Sequence, residues 1–393
     1  MTVLAGPVAV IHNRYLQSGG EDAAVAAHVA LLEDRGCRVV RYETSNEAMA
    51  GLGPLGQARA TIWNSKARDD LQRMLTKARP AVAHFHNTFP YLSPSVYAAA
   101  RSVGVPVVQS LHNYRLICPG ALLYRDGLPC TDCVSRRVKW PAAVHGCYRR
   151  SRAASAVTAG MLAIGNVNKT WERSVDAYVA LTEFARDRFI AGGLPPDRIV
   201  VHPNVLATDP GAGAHEADFA LFVGRLSPEK GIGTMLEAWR RADFGSRTLL
   251  VVGTGPLEGS FDRLIPGVQW LGKCTNERVI ALMQQAAFLV LPSECYEGFP
   301  MTLVEAFATA LPVIASNHGA MAELVVHGVN GYHFRPGDAA DLSSAMVRAF
   351  DNPTECKALG DAARRTFIER YTSDQAYDRL MALYGRLTQQ VVP

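Results

Sequence analysis

The chain contains no uninterrupted apolar run approaching the roughly 18 residues needed to span a bilayer, so no transmembrane helix is predicted. Its opening stretch, Met1 to Ile11, is apolar but has no basic start and runs directly into a polar loop. It reads as a first strand rather than a secretory leader, and a cytoplasmic protein is expected. Excess charge of one sign is also missing: the formal net charge is only +4, too weak to argue for nucleic acid, and no DNA- or RNA-binding signature is present. There is no Asp-x-Asp triplet to offer paired carboxylates to a divalent cation, and no catalytic metal is expected.

What is present is 393 residues, 48% hydrophobic and 19% charged. This length exceeds what one core usually serves, and two domains of roughly 200 residues are predicted. Strand-like runs at Val8 to Ile11, Ala81 to His86, Val105 to His112, Tyr178 to Thr182 and Ile199 to Asn204 alternate with helical spacing. A Gly-, Ala- and Pro-rich break at Ala207 to Glu216 follows. A second series then runs through Phe219 to Arg225, Thr248 to Gly253, Val268 to Gly272, Ala287 to Pro292 and Val313 to Ser316. The alternation implies two doubly wound parallel-sheet α/β domains. Ligands of such sheets gather at the carboxyl ends of strands, which makes His86, Asn87 and His112 candidates to line a site.

Ser293 to Phe307 concentrates the chemistry. It follows the apolar run ending at Pro292, Gly298 suits a tight turn, and Pro300 suits the first position of a helix, giving strand, loop, helix. That helix start offers free amides to phosphate. Glu305 falls among Leu303, Val304, Ala306 and Phe307, where a carboxylate needs a specific partner. Upstream, Arg225 and Lys230 straddle a predicted strand-to-helix turn and are suited to one diphosphate, the arginine as a fork and the lysine as a point charge, or else belong to a solvated loop with incidental charges. Gly253-Thr254-Gly255-Pro256-Leu257-Glu258-Gly259 imitates a dinucleotide fingerprint, but Glu258 stands where the third glycine belongs.

In order, Gly19-Gly20, Pro203-Asn204, Arg225 and Lys230, Gly253-Thr254-Gly255-Pro256, Glu297 and Glu305, and Ala322-Glu323-Leu324-Val325 through Asn330-Gly331 resemble a family 4 retaining glycosyltransferase of the GT-B fold. The resemblance implies two Rossmann-like domains facing across a cleft: an acceptor-binding domain at 1–205 with an insertion at 113–152, and a nucleotide-sugar domain at 206–372. A helix within 373–393 would return to the first domain, and Asp374 to Gln389 has helical spacing with a stripe of Tyr377, Leu380, Met381, Tyr384 and Leu387. By the same resemblance Glu305 accepts the ribose hydroxyls, Arg225 and Lys230 hold the diphosphate, and Glu297 contacts the donor sugar. Gly298, Phe299, Pro300, Met301 and Thr302 face sugar and phosphates, Gly19 and Gly20 approach the diphosphate, Gly253 and Lys273 flank the nucleotide, and His112 lies above the sugar. His86 and Asn87 remain acceptor-side candidates. A UDP-sugar is favoured over GDP-mannose, the acceptor is a sugar or lipid-linked sugar of a cell-surface polysaccharide or glycoconjugate, and front-face attack dispenses with a carboxylate nucleophile. Gly319-Ala320 and Pro203-Asn204-Val205 depart from the family's Gly-Gly and Pro-Asn-Gly. An epimerase or phosphorylase of the same fold, a transferase of small-molecule natural products, and a silent binding subunit are the competing readings.

The insertion carries two further signals. Cys118, Cys130, Cys133 and Cys147 place a C-x-x-C inside a four-cysteine set whose spacing is compatible with a structural zinc, or with ordinary thiols in a reducing compartment. The insertion is also basic, with no acidic residue between Val134 and Arg152. Arg136, Arg137, Lys139, Trp140, Arg149 and Arg150 are therefore candidates for peripheral contact with an anionic membrane, against the alternative of a solvated face.

Overall fold

The computed structural model describes residues 4–16 and 19–389; Met1 to Val3, Gln17, Ser18 and the end of the predicted 373–393 segment lie outside the described residues. The strands are β1 Val8–Arg14, β2 Val39–Ser45, β3 Val82–Phe85, β4 Val107–Leu111, β5 Tyr124–Arg125, β6 Leu128–Pro129, β7 Ala177–Ala180, β8 Ile199–Val201, β9 Phe219–Val223, β10 Thr248–Val252, β11 Val268–Gly272, β12 Phe288–Leu291, β13 Val313–Ser316 and β14 Gly331–Phe334. β5 and β6 form a short antiparallel hairpin, and the rest make two parallel sheets.

The first sheet has the order β2-β1-β3-β4-β7-β8 and the second β11-β10-β9-β12-β13-β14. Strands covered on both faces should be apolar throughout, and β3, β4, β7 and β12 are buried along their whole length. In each sheet the chain first moves one way from its opening strand and then crosses to the other side. The order therefore reverses between β1 and β3 in one sheet and between β9 and β12 in the other. Such switch points leave a crevice at the strands' carboxyl ends.

Two compact units result, Met1–Leu123 with Thr131–Ala207 and Ser373–Pro393, and Tyr124–Cys130 with Thr208–Thr372. The C-terminal helix Ser373–Gln389 lies in the first: Tyr377, Leu380, Met381, Tyr384 and Leu387 are buried in a core with Val8, Val10, Val25, Val29 and Val82. The insertion at 113–152 is not wholly part of that unit, because the hairpin residues Tyr124–Cys130 group with the second. There Tyr124 Oη donates to Glu294 Oε2 at 3.2 Å. In the second unit Trp239 stacks on Phe244 with ring centres 4.2 Å apart, and Phe350 meets both rings edge-on.

Candidate active site

In the second unit the switch point lies between β9 and β12, and the loops after these strands carry the polar side chains. The two loops are stitched together by backbone, since Glu294 N donates to Glu229 O at 2.9 Å. Across this junction Lys230 Nζ donates to Glu297 Oε1 at 2.6 Å, and Ser293 Oγ donates to the same oxygen at 2.6 Å. Burial disfavours both charges, yet each partner outweighs it. Lys230 is held above its ordinary range by Glu297 and, more weakly, Cys295, while Glu297 is held below its own by Lys230 and Ser293. Glu294 accepts from Thr234 Oγ1 at 2.6 Å, and His318 meets Ser293 O at 2.9 Å. Burial lowers the affinity of His318 for a proton.

Glycine makes this junction possible. Gly231 has φ +66°, and a Cβ there would lie 1.9 Å from Pro292 O; Gly253 has φ +134°, and a Cβ would lie 1.9 Å from Gly224 O. Close backbone contact between strand-end loops, rather than a dinucleotide fingerprint, accounts for both glycines. Gly298, expected to form a tight turn by virtue of its freedom, is absent from the left-handed glycines among the described residues.

Pro300 is the cap (φ −72°, ψ 116°) of helix Met301–Ala308, one position earlier than predicted. Leu303, Val304, Ala306 and Phe307 are buried as the spacing required. Glu305, between them, is half-buried and makes no side-chain hydrogen bond or ion pair within the described residues, and burial pushes its carboxyl up to about 7. Arg225 is exposed and Lys273, after β11, is exposed, neither paired within the described residues. Phe299 is buried edge-on against Tyr371 at 5.8 Å, so it packs the loop while Met301 and Thr302 stay half-buried. The structure thus brings Lys230 and Glu297 into contact, leaves Arg225 and Glu305 unpaired in the same unit, and adds Ser293, Glu294, Thr234 and His318. No sequence signal marked Thr234 or His318; Ser293 and Glu294 stood inside the predicted loop without a role.

The first unit's candidates are treated differently by their surroundings. Gly19, extended at φ −140°, caps helix Gly20–Asp34, and a Cβ on either glycine would meet nothing within 4 Å. Their own fold does not demand glycine there. Gly19 N donates to Asp22 Oδ2 at 3.0 Å, and His12 Nε2 lies 2.8 Å from Asp22 Oδ1. Asn87 is a structural residue: its amide nitrogen donates to Asn13 O at 2.7 Å and its carbonyl accepts from Phe89 N at 2.9 Å, fastening the loop after β3 to β1. His86 is buried and bonded to His28 and His112, and with His84, His202 and Asn204 these rings line a cavity.

The predicted thiol set does not converge. Among the described residues, the group of three potential ligands within 4.8 Å of one another is His28, His84 and His86, not Cys118, Cys130, Cys133 and Cys147. Cys130 follows the hairpin in the second unit, while buried Cys133 faces Lys139 O at 3.9 Å. Lys139 also leaves the expected basic surface, being 1% exposed with Nζ donating to Val134 O at 2.9 Å. Arg136, Arg137, Trp140, Arg149 and Arg150 remain exposed, with Arg136 over the Trp140 ring at 5.3 Å. No helix among the described residues is long and apolar enough to cross a membrane.

Comparison with known proteins follows the same division. Residues 210–366 match the family described as glycosyl transferases group 1, and residues 7–164 the glycosyl transferase 4-like domain. An uncharacterised glycosyltransferase of Methanocaldococcus jannaschii is 28% identical over 44% of this chain and 49% of its own length. The amylovoran biosynthesis glycosyltransferase AmsK of Erwinia amylovora is 28% identical over 51% of this chain and 54% of its own. The chain thus spans about half the length of these relatives. Among solved structures, Anabaena HepE in complex with UDP matches with TM-score 0.67 and 16% identity, covering 97% of this chain and 100% of that one. Sucrose-phosphate synthase from Thermosynechococcus elongatus matches with TM-score 0.69 and 17% identity, covering 98% and 100%. With its two six-stranded parallel sheets, the chain has the GT-B fold.

Proposed function

We propose that the protein is a retaining glycosyltransferase of the family 4 type, moving a sugar from a nucleoside-diphosphate sugar to an acceptor hydroxyl, and that its second unit holds the donor. The observation that carries this reading is Glu305, a half-buried carboxylate with no partner among the described residues, on the helix that follows the switch-point strand β12. Two ribose hydroxyls supply what it lacks, and their bonds favour its charged form. The exposed Arg225 guanidinium and Lys230 stabilise charge developing on the departing diphosphate, in place of a metal ion. Glu297, tied to Lys230 and Ser293, is a poor nucleophile, which favours front-face attack over a covalent glycosyl-enzyme.

UDP-sugar is favoured over GDP-mannose because the structurally similar HepE is described in complex with UDP and with UDP-glucose. The likeness to an amylovoran biosynthesis enzyme supports an acceptor in polysaccharide or glycoconjugate synthesis. Such an acceptor, if lipid-linked, fits peripheral attachment to the cytoplasmic membrane face through Arg136, Arg137, Trp140, Arg149 and Arg150. Calorimetric titration with UDP, UDP-glucose, GDP and GDP-mannose, each with and without EDTA, tests the donor reading. Saturable UDP binding insensitive to EDTA and lost in Glu305→Ala is expected. Failure of all four nucleotides to bind would refute it. Retention is read from the anomeric configuration of the product by NMR.

A further inference from the structure

Beneath the first sheet's strand ends, five contacts join six buried or half-buried side chains in one line. His112 Nε2 lies 2.8 Å from His86 Nδ1, His86 Nε2 lies 2.9 Å from His28 Nδ1, and His28 Nε2 lies 3.1 Å from Tyr384 Oη. Tyr384 Oη in turn lies 2.6 Å from His84 Nδ1, whose Nε2 lies 2.7 Å from Ser110 Oγ. The line draws on helix Gly20–Asp34, on β3 and β4 and the residue after each, and on the C-terminal helix. At one end, His112 Nδ1 is buried and has no hydrogen-bond partner among the described residues.

Proton counting restricts such a line severely. Burial pushes His28 and His112 down to about 3 and His84 and His86 well below their usual value, so each ring is neutral near pH 7 and carries one N–H. A neutral imidazole donates through one nitrogen and accepts through the other, so the direction of one contact dictates the direction of the next. Tyr384 has one hydrogen to give and, among the described residues, these two rings to receive it. Two arrangements remain, running in opposite senses. If the hydrogens point from His112 toward Ser110, the serine hydrogen has no acceptor among the described residues and His112 Nδ1 is an unmet acceptor. If they point from Ser110 toward His112, every hydrogen in the line is shared except the one on His112 Nδ1. The second sense leaves fewer buried groups unsatisfied.

We infer that Ser110, His84, Tyr384, His28 and His86 are positioning residues that hold His112 in the tautomer with its hydrogen on Nδ1, making that atom a hydrogen-bond donor for an oxygen brought beside it. Any effect on turnover rests on the role that the family resemblance gives His112; the tautomer itself does not. Ser110 starts the line by giving its hydrogen to His84, and Tyr384 carries the same sense across from the C-terminal helix to the helix bearing His28. Satisfied neutral rings also explain how four histidines share one interior without repelling one another as cations.

Nitrogen-15 NMR of the full-length protein labelled at histidine reads the tautomer directly. The unaltered chain is expected to show His112 protonated at Nδ1. Ser110→Ala removes the donor that sets the direction, so the two senses become nearly equal and His112 should show a mixture of tautomers. Tyr384→Phe cuts the line at its centre and should do the same, with kcat falling about tenfold while KM for the donor stays within about twofold, as expected when an orienting partner is lost. His112 protonated at Nε2 in the unaltered chain would overturn the inference even if UDP binds as proposed. Stoichiometric zinc in the purified protein, lost in His84→Ala, would overturn it too, because the metal would occupy the same nitrogens. Conversely, failure of every nucleotide to bind would remove the proposed function and leave the tautomer measurement standing.

Discussion

In the second unit the polar groups at the switch point are charged, sit on loops and reach solvent: Lys230 and Glu297 pair at 2.6 Å with side chains 30% and 13% exposed, and Arg225 is exposed outright. In the first unit the groups near the corresponding strand ends are neutral imidazoles, enclosed and bonded to one another. Charges at a loop junction can be recruited by a ligand at modest cost, since water and a counter-charge already hold them. A buried neutral chain can offer only the donor or acceptor at its end, but it fixes that choice firmly. Recognition of an anion and orientation of a single hydrogen therefore call for different constructions, and the molecule uses one in each unit.

The comparison breaks most sharply at Lys230. Lys230→Ala removes a cation proposed to stabilise the leaving diphosphate, and turnover is expected to fall by about 10²–10³-fold. It also strips Glu297 of its partner, so Lys230→Ala with Glu297→Gln should recover stability but not rate. Turnover unchanged in Lys230→Ala would refute the diphosphate role. Gly231→Ala tests the junction itself: with its Cβ 1.9 Å from Pro292 O and φ at +66°, a loss of about 2–4 kcal/mol is expected in denaturant unfolding. Gly233→Ala, two residues on in helix Ile232–Arg240 and with nothing within 4 Å, should be neutral or slightly stabilising. Equal losses in both variants would mean that the contact does not set the loop.

Glu305 sharpens the contrast by pH. Its folded value, about 7, lies above that of an unfolded glutamate, so the folded chain binds this proton more tightly and stability drains away as pH rises from about 4 to about 7. Glu305→Gln is expected to melt higher than the parent at pH 8 and about equally at pH 4. The same substitution should weaken UDP about 10–100-fold at pH 8, because a charged acceptor for two hydroxyls is gone. In the parent, UDP affinity should climb with pH up to about 7 and then level; an identical pH profile in Glu305→Gln would assign the proton elsewhere.

How far these features could be read beforehand follows from how they are encoded. Strands such as Phe288–Leu291 and Val313–Ser316 are continuous apolar runs, and the stripe from Tyr377 to Leu387 repeats at helical spacing, so both sheets and the last helix were legible. Arg225, Lys230, Glu297 and Glu305 lie within local motifs. The pairing of Lys230 with Glu297 was not readable, because it joins loops after two different strands and depends on backbone contact at Glu229 and Glu294. The histidine line was less readable still: His84 and Tyr384 touch across 300 positions, and no spacing rule connects a strand residue to a terminal helix. The cysteine set was marked by a local C-x-x-C, whereas the three potential ligands that lie within 4.8 Å of one another among the described residues, His28, His84 and His86, carry no such spacing signal.

The smallest effect expected per residue concerns the basic insertion, where burial separates two kinds of cation. Arg136, Arg137 and Arg149 are exposed, whereas Lys139 spends its ammonium on Val134 O inside the fold. Each exposed arginine near an anionic surface contributes about 1 kcal/mol, screened by salt. Reversing all three to glutamate should therefore reduce sedimentation with phosphatidylserine-containing vesicles by at least 100-fold in partition coefficient, while leaving UDP binding unchanged. Lys139→Met should do the reverse, sparing vesicle binding and altering only stability, since its charge never reaches the surface. Vesicle binding that survives the triple reversal would assign this face to solvent, and binding that is lost with Lys139→Met at unchanged stability would mean that the lysine emerges when the insertion meets a membrane.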